Sequence, residues 1–358
     1  KRWQTACQLD YQTFLEWQKQ NPGKTFKDFE KANPNLAGKN LREANIRHEI
    51  ASVLEHRNHC FATPVMVAIA AHHAKLSERH TGKWCDNENI GIEDGRELWK
   101  FFKQASTEGL DRSVAAFHEF RKFLVKYPKF AGVRAWLMTA DQRASGREAA
   151  EEIPDLKKFE YNFKWEEKKV VQQIAEENWQ DDFLLLRAPT GAGKTDAALL
   201  WAKKQIENGR ACRLVIAMPT RFTSNALSIN VAENLSETGL YHSTAWQAKF
   251  GKRVSGGEIK KQAARNEHEF ARKLNTPVTV CTIDHLLMAF TLTREDHHQI
   301  LFNLMNSCLV IDEADFYDEF TQANILVLLE ALREWKVPVL LMSASLPESS
   351  RTFYERSG

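Results

Sequence analysis

No two cysteines in this chain are spaced C-x-x-C: Cys7, Cys60, Cys85, Cys212, Cys281 and Cys308 are scattered along it. That pattern suggests neither a zinc ribbon nor a disulfide framework, and a reducing cytoplasm is the simplest expectation. Long apolar runs are also missing. Nothing approaches the roughly eighteen residues needed to cross a bilayer, and the start KRWQTACQLDYQTF does not read as a signal peptide. A soluble protein with no membrane partner is therefore expected. Neither sign of charge dominates: 49 basic and 47 acidic residues leave a net +2, so there is no acidic or basic tail and no hint of a partner in the balance. Basic stretches at Lys249–Lys261 and Arg265–Lys273 could meet phosphates, although solvated helix faces look the same and are commoner. Low-complexity tracts and internal repeats are absent apart from a loose polar region between Gly239 and Pro277, expected to be a helical insertion or a long loop. The chain starts at Lys1 and stops after SLPESSRTFYERSG, as a piece of something longer would.

What is present divides in two, as a length of 358 residues favours. From Leu41 to about Ala150 the apolar residues recur at helical spacing, for example in VAAFHEFRKFLVKY and AGVRAWLMTA, which predicts an all-helical domain. Within the first forty residues, NPGKTFKDFEKANPNLAGKN holds three helix-breaking turns and little periodicity and is expected to be loop-rich. The polar stretch ASGREAAEEIPDLKKFEYNFKW suits a seam. The expected division is thus a helical domain over 1–150, a linker over 151–165 and an α/β domain over 166–358. In the last, short buried strands (DFLLLRA, RLVIAMP, PVTVCT, SCLVIDEAD, PVLLMSAS) alternate with helical segments, the mark of a parallel sheet with crossover helices.

The stretch FLLLRAPTGAGKTDAALLWA combines a buried strand, a glycine-bearing turn and an amphipathic helix, the setting of a phosphate-binding loop. Gly191 and Gly193 let backbone N–H groups, with those of Thr190 and Ala192, curl around phosphates at a helix N-terminus. Lys194 can neutralise the β- and γ-phosphates of ATP, and the Thr195 hydroxyl can ligate Mg2+. Gln172, ahead of the loop, is a further candidate nucleotide contact. The acidic partner is expected at the end of a neighbouring strand, and SCLVIDEAD supplies it. Asp312 can hold Mg2+, Glu313 can orient and deprotonate the attacking water, and Asp315 is a candidate coupling residue. One crossover later, Ser343 and Ser345 could hydrogen-bond the acidic motif and report nucleotide state. The segments MPTRFTSNA and VCTIDHLL each follow a strand with a short loop that opens a helix, offering N–H groups and hydroxyls, and they nominate Pro219, Thr220, Arg221, Asn225 and Thr282 for nucleic-acid backbone phosphates.

Together, APTGAGKT, MPTRFTSNA, VCTIDHLL, VIDEADFYD and MSASLP resemble the CRISPR-associated nuclease-helicases of type I interference systems, a branch of superfamily 2, over residues from about 163 to 347. The loop form A-x-T-G-x-G-K-T is that of superfamily 2, with Ala188 in place of the first glycine of the strict pattern. DEAD replaces that family's more usual D-E-x-H, and Ser345 replaces a threonine. The resemblance implies a RecA-like motor lobe, ATP-driven 3′-to-5′ movement along single-stranded DNA and recruitment by an RNA-guided surveillance complex. It further implies a monomer and an HD-type nuclease domain. IRHEIASVL, VAIAAHHAKL and LMTADQRAS resemble that domain's helices, so that His48, His72, His73 and Asp141 would ligate a divalent transition metal suited to phosphodiester cleavage. The pair His297–His298 lies where nothing else suggests metal, so a histidine pair alone says little.

The family's first histidine and its His-Asp dipeptide should lie upstream of His48, and no such pair occurs between Lys1 and Arg47. Either this chain lacks that segment or the metal site is degenerate. The arginine finger of such motors comes from a second lobe, so residues 1–358 alone are expected to bind ATP and turn it over poorly. Two other readings stand beside the first: a DEAD-type RNA helicase with an unrelated helical domain, and a silent interaction module that uses ATP as a switch.

Overall fold

A computed structural model describes residues 2–44, 49, 52, 65, 68–69, 114–148, 158–220, 239–241, 268–291, 294 and 296–357. The chain forms two compact units: Lys1–Glu108 with Gly132–Ile153, and Gly109–Ala131 with Pro154–Gly358. Among the described residues no helix is long and apolar enough to cross a membrane.

The described residues of the first unit are helical apart from short turns: α1 (Arg2–Gln20), α2 (Phe26–Ala32), α3 (Lys39–Ala44) and the later part of α4 (Val114–Glu148). The stretch expected to be loop-rich contains α2. Its start is set by a capping box in which the Thr25 hydroxyl accepts from the Asp28 N–H while the Asp28 carboxylate accepts from the Thr25 N–H at 2.9 Å. Aspartate in the glutamate position of that motif, in a helix of only 7 residues, is why periodicity did not reveal it. Phe29, 1% exposed, packs with Phe14, Ala37 and Trp17. Asp10, itself buried, takes the N–H groups of Asn40 and Leu41, both at 3.0 Å, and so fixes the first turn of α3.

The second unit is built on six parallel strands: β1 (Phe183–Arg187), β2 (Arg213–Met218), β3 (Gly239–Tyr241), β4 (Val278–Thr282), β5 (Ser307–Ile311) and β6 (Val339–Ser343). Their spatial order is β1-β6-β5-β2-β4-β3. Every pairing is parallel, as crossover helices require. The strands read as near-continuous apolar runs because both faces are covered. On one face Leu214, Ile216 and Met218 meet α5 (Val170–Glu177) and α6 (Lys194–Glu207), whose Trp201 is fully buried. On the other, Val215 and Ala217 meet α7 (Ile283–Ala289), α8 (His297–Met305) and α9 (Glu319–Glu334). The period of two along β2 thus divides one strand between two cores. A last helix, α10 (Glu348–Ser357), follows β6.

In such a sheet all strands point the same way, so the loops leaving their C-terminal ends share one edge. Ligands of open α/β sheets bind at that edge.

Candidate active site

At the end of β1 the ladder with β6 continues one bond further, from the Ala188 N–H to the Ser343 carbonyl at 3.1 Å, and the chain then turns into α6. The turn depends on two glycines in the left-handed region, Gly191 at φ 82° and Gly193 at φ 89°. At Gly193, the N-cap of α6, the dihedral demands glycine, and an added Cβ, 2.5 Å from the Gln172 amide nitrogen, would also displace that side chain. Lys194 opens the helix and its ammonium donates to the Ala188 carbonyl at 3.0 Å, curling the side chain back over the loop.

Gln172 is 2% exposed. Its oxygen accepts the Lys169 N–H at 2.8 Å and its nitrogen donates to the Gly193 carbonyl at 3.4 Å, so the side chain braces the loop from α5. Two further braces had no signal in the sequence. The Lys169 ammonium donates to the Gly191 carbonyl at 3.0 Å, and the Tyr161 hydroxyl donates to Asp196, next to Thr195, at 2.8 Å. Burial, then the Asp196 carboxylate, pushes the Tyr161 hydroxyl well above its ordinary pKa.

The acidic motif leaves β5, with β6 between it and β1. The Asp312 N–H bonds the Ala217 carbonyl at 3.0 Å, carrying the β5–β2 ladder into the motif. The Asp312 side chain is buried, and that desolvation raises its pKa to about 6. The Glu313 N–H, donating at 2.9 Å, and the positive charge of Lys194 pull the other way. The lysine of the loop and the first acid of the motif therefore share one electrostatic neighbourhood. Glu313 sits at φ 53°, left-handed without being glycine, and caps a 3-10 turn, Ala314–Phe316. Such a backbone costs on the order of 1 kcal/mol and persists where surrounding structure holds it. The hydroxyls of Tyr317 and Tyr354 hold it here, donating to the Asp312 and Ala314 carbonyls at 3.4 Å each.

Asp315 behaves in the opposite way to Asp312. The Ser343 hydroxyl donates to one of its oxygens at 2.6 Å and the Ser345 hydroxyl to the other. Partial burial pushes this carboxyl up, but the two hydroxyls, together with a backbone hydrogen bond and the charge of Lys194, keep the group below its ordinary value. The two serines named from sequence thus clasp Asp315.

Towards the other side of the edge, Met218 of β2 pairs with Thr282 of β4. Pro219 and Thr220 follow directly, with Thr220 exposed, and Thr282 becomes the extended N-cap of α7 without making a side-chain cap bond. Arg221 and Asn225 lie outside the described residues, as do His48, His72 and His73. Asp141 lies half-buried on α4. Among the described residues no group of three or more His, Cys, Asp or Glu side chains could hold a metal ion. His297 and His298 open α8, where the Nδ1 of buried His297 accepts the Arg294 N–H at 3.4 Å.

A family model described as DEAD/DEAH box helicase matches residues 168–353, more than half of the chain, and takes in the loop, the acidic motif and the clasping serines. The chain belongs to the DEAD/DEAH box helicases. Within that family it is 34% identical over 188 residues to the CRISPR-associated endonuclease/helicase Cas3 of Thermus thermophilus, covering 47% of this chain and 20% of the relative. It is 33% identical over 172 residues to a Methanocaldococcus jannaschii counterpart, covering 48% and 24%. The chain thus spans about a quarter or less of the length of these curated relatives. Among solved structures, T. fusca Cas3 with AMPPNP superposes with a TM-score of 0.57 at 19% identity, over 86% of this chain and 40% of that one. At that identity the superposition speaks for the fold: a DEAD/DEAH box helicase sheet, with helices preceding it.

Proposed function

We propose that this chain carries the ATP-binding lobe of a motor that moves along single-stranded DNA, joined to a metal-dependent nuclease that degrades target DNA in CRISPR interference. The observation that carries the motor is the pairing of a glycine cradle after β1 with a desolvated Asp312 after β5, inside the field of the cradle's own Lys194. In this reading Lys194 neutralises the terminal phosphates of ATP. The Thr195 hydroxyl and the Asp312 carboxylate would hold Mg2+, which when bound offsets charge on the phosphate oxygens. The residues fit such an ion, because they are hard oxygen donors. Asp312 in addition receives one protein hydrogen bond among the described residues, in surroundings that penalise its charge, a deficit that a cation corrects. Glu313 orients the attacking water and takes its proton. Asp315, with Ser343 and Ser345, transmits nucleotide state across β5 and β6. Pro219, Thr220, Arg221, Asn225 and Thr282 take the sugar-phosphate backbone, which makes binding salt-sensitive and indifferent to base sequence.

For the nuclease, support comes from the motif resemblance and from relatives named nuclease/helicase. Residues 1–150 would form that domain, 151–165 the linker and 166–358 the first motor lobe. His48, His72, His73 and Asp141 would hold a divalent transition metal, whose chemistry when bound is the activation of water for phosphodiester cleavage. The protein would act as a cytoplasmic monomer with an RNA-guided type I surveillance complex as partner.

The test is ATP turnover with and without single-stranded DNA, beside Glu313→Gln, and nicking of single-stranded DNA with added divalent metal. DNA-stimulated turnover lost in Glu313→Gln is expected; equal rates in the two proteins would overturn the motor. Stimulation by RNA with no nicking of DNA would move the reading to an RNA helicase.

A further inference from the structure

Helix α4 carries Pro128 in its interior. A helical proline has no N–H, so the carbonyl four residues earlier, that of Leu124, loses the donor an ordinary residue would give it. In this fold a donor comes from another helix: the indole N–H of Trp335 reaches the Leu124 carbonyl at 3.0 Å. The contact is deeply set. Leu124 is 1% exposed against fully buried Ala331, and the Trp335 ring stacks on Phe290 with centroids 5.7 Å apart and planes 18° from parallel. A carbonyl buried without a donor would cost more than the bond itself is worth, so the position of this turn of α4 depends on Trp335.

Trp335 is the C-cap of α9, and the N-cap of the same helix is Asp318, three residues after Asp315. One helix thus begins at the acidic motif and ends at this bond. We infer that Trp335 is a latch by which α9 holds the proline-interrupted part of α4 over 114–131, giving the nucleotide site a mechanical hold on that stretch of the helix. The latch itself is independent of the proposed function; its link to nucleotide rests on the ATP reading of that same site.

Hydrogen–deuterium exchange of amides 114–131 tests it in four proteins: unmodified, Trp335→Phe, Pro128→Ala and the double variant. Phenylalanine keeps a ring to stack on Phe290 and removes the N–H; alanine at 128 restores the helix's own donor. Trp335→Phe is expected to speed exchange about tenfold in the unmodified background and about threefold or less beside Pro128→Ala, the remainder being lost packing. Equal acceleration in both backgrounds overturns the latch.

Adding a non-hydrolysable ATP analogue should change exchange over 114–131 in the unmodified protein, and this response should vanish in Trp335→Phe. A response that survives the substitution, or none in a protein that binds the analogue, overturns the coupling. Fluorescent-nucleotide binding on the same samples tells that failure apart from a failure of the ATP reading.

Discussion

In the sheet-bearing unit the candidate side chains hang from strand ends: Lys194 and Thr195 follow β1, Asp312 follows β5, and Ser343 closes β6. In the helical unit Asp141 lies well inside a helix of 35 residues, and the histidines proposed beside it belong to other segments. A parallel strand fixes both where its last residue lies and which way it points, because the ladder sets register on both sides. A helix fixes only which face a side chain occupies, and convergence with other helices then depends on packing between distant stretches. A motor site can therefore be specified by a handful of short motifs, whereas a ligand set spread over helices cannot.

The largest effects would separate these two regions by function. Glu313→Gln should lower ATP turnover by about 10²–10⁴-fold while leaving nucleotide affinity in place, read by single-turnover phosphate release and equilibrium binding. Loss of binding instead would mean that Glu313 supports the cradle and does not act on water. Asp141→Ala should reduce metal-dependent cleavage of single-stranded DNA by at least about 100-fold, since even second-shell losses at metal sites reach that size. ATP turnover should be untouched, and a parallel fall in both activities would erase the distinction drawn between the regions.

Within the sheet-bearing unit, Asp312 sharpens the contrast because its placement opposes stability. Its pKa in the fold, about 6, exceeds the ordinary 3.8, so the unfolded chain releases this proton first as pH rises. The contribution that favours the fold is therefore complete below about pH 3.8 and is lost as pH rises through about 6, where the charge becomes a cost of about 3 kcal/mol. In metal-free buffer at pH 7, Asp312→Asn should be more stable than the unmodified protein by up to that amount, the gap closing towards pH 4, as measured by denaturant unfolding. A variant no more stable at pH 7 than at pH 4, relative to the unmodified protein, would show that burial is not what raises this carboxyl.

The parallel sheet was legible because a strand covered on both faces must be apolar through its middle, and the CLVI of β5 and the VLLM of β6 are. The cradle and the acidic motif were legible because phosphate binding at a helix N-terminus demands glycine, lysine and hydroxyl in a fixed order. The clasp of Asp315 by Ser343 and Ser345 could be named from the order of motifs, although its hydrogen bonds could not. The braces from Lys169 and Tyr161 were invisible, since each reaches the loop through tertiary contact and neither residue type at that place signals it. Trp335 was illegible for the same reason: only the fold brings an indole N–H to the carbonyl that Pro128 leaves without a donor. Helix α2 was missed because 7 residues are too few for periodicity to show, although its capping pair, Thr25 and Asp28, was in plain view.

That pair supplies the smallest expected effect, and one confined to the helical unit. Thr25→Ala removes the hydroxyl that accepts from the Asp28 N–H and that donates to the Asp28 carboxylate at 2.8 Å. The Thr25 N–H and hydroxyl hold that carboxyl below its ordinary value, so the contribution is present above about pH 3.8 and is lost as acid protonates it. At neutral pH the loss of a cap of this kind should speed amide exchange over Phe26–Ala32 by about fivefold and leave exchange at the α6 cradle unaltered. An equal rise in both places would show that the two units unfold as one, in which case the separation between strand-borne and helix-borne sites would be one of function alone and not of stability.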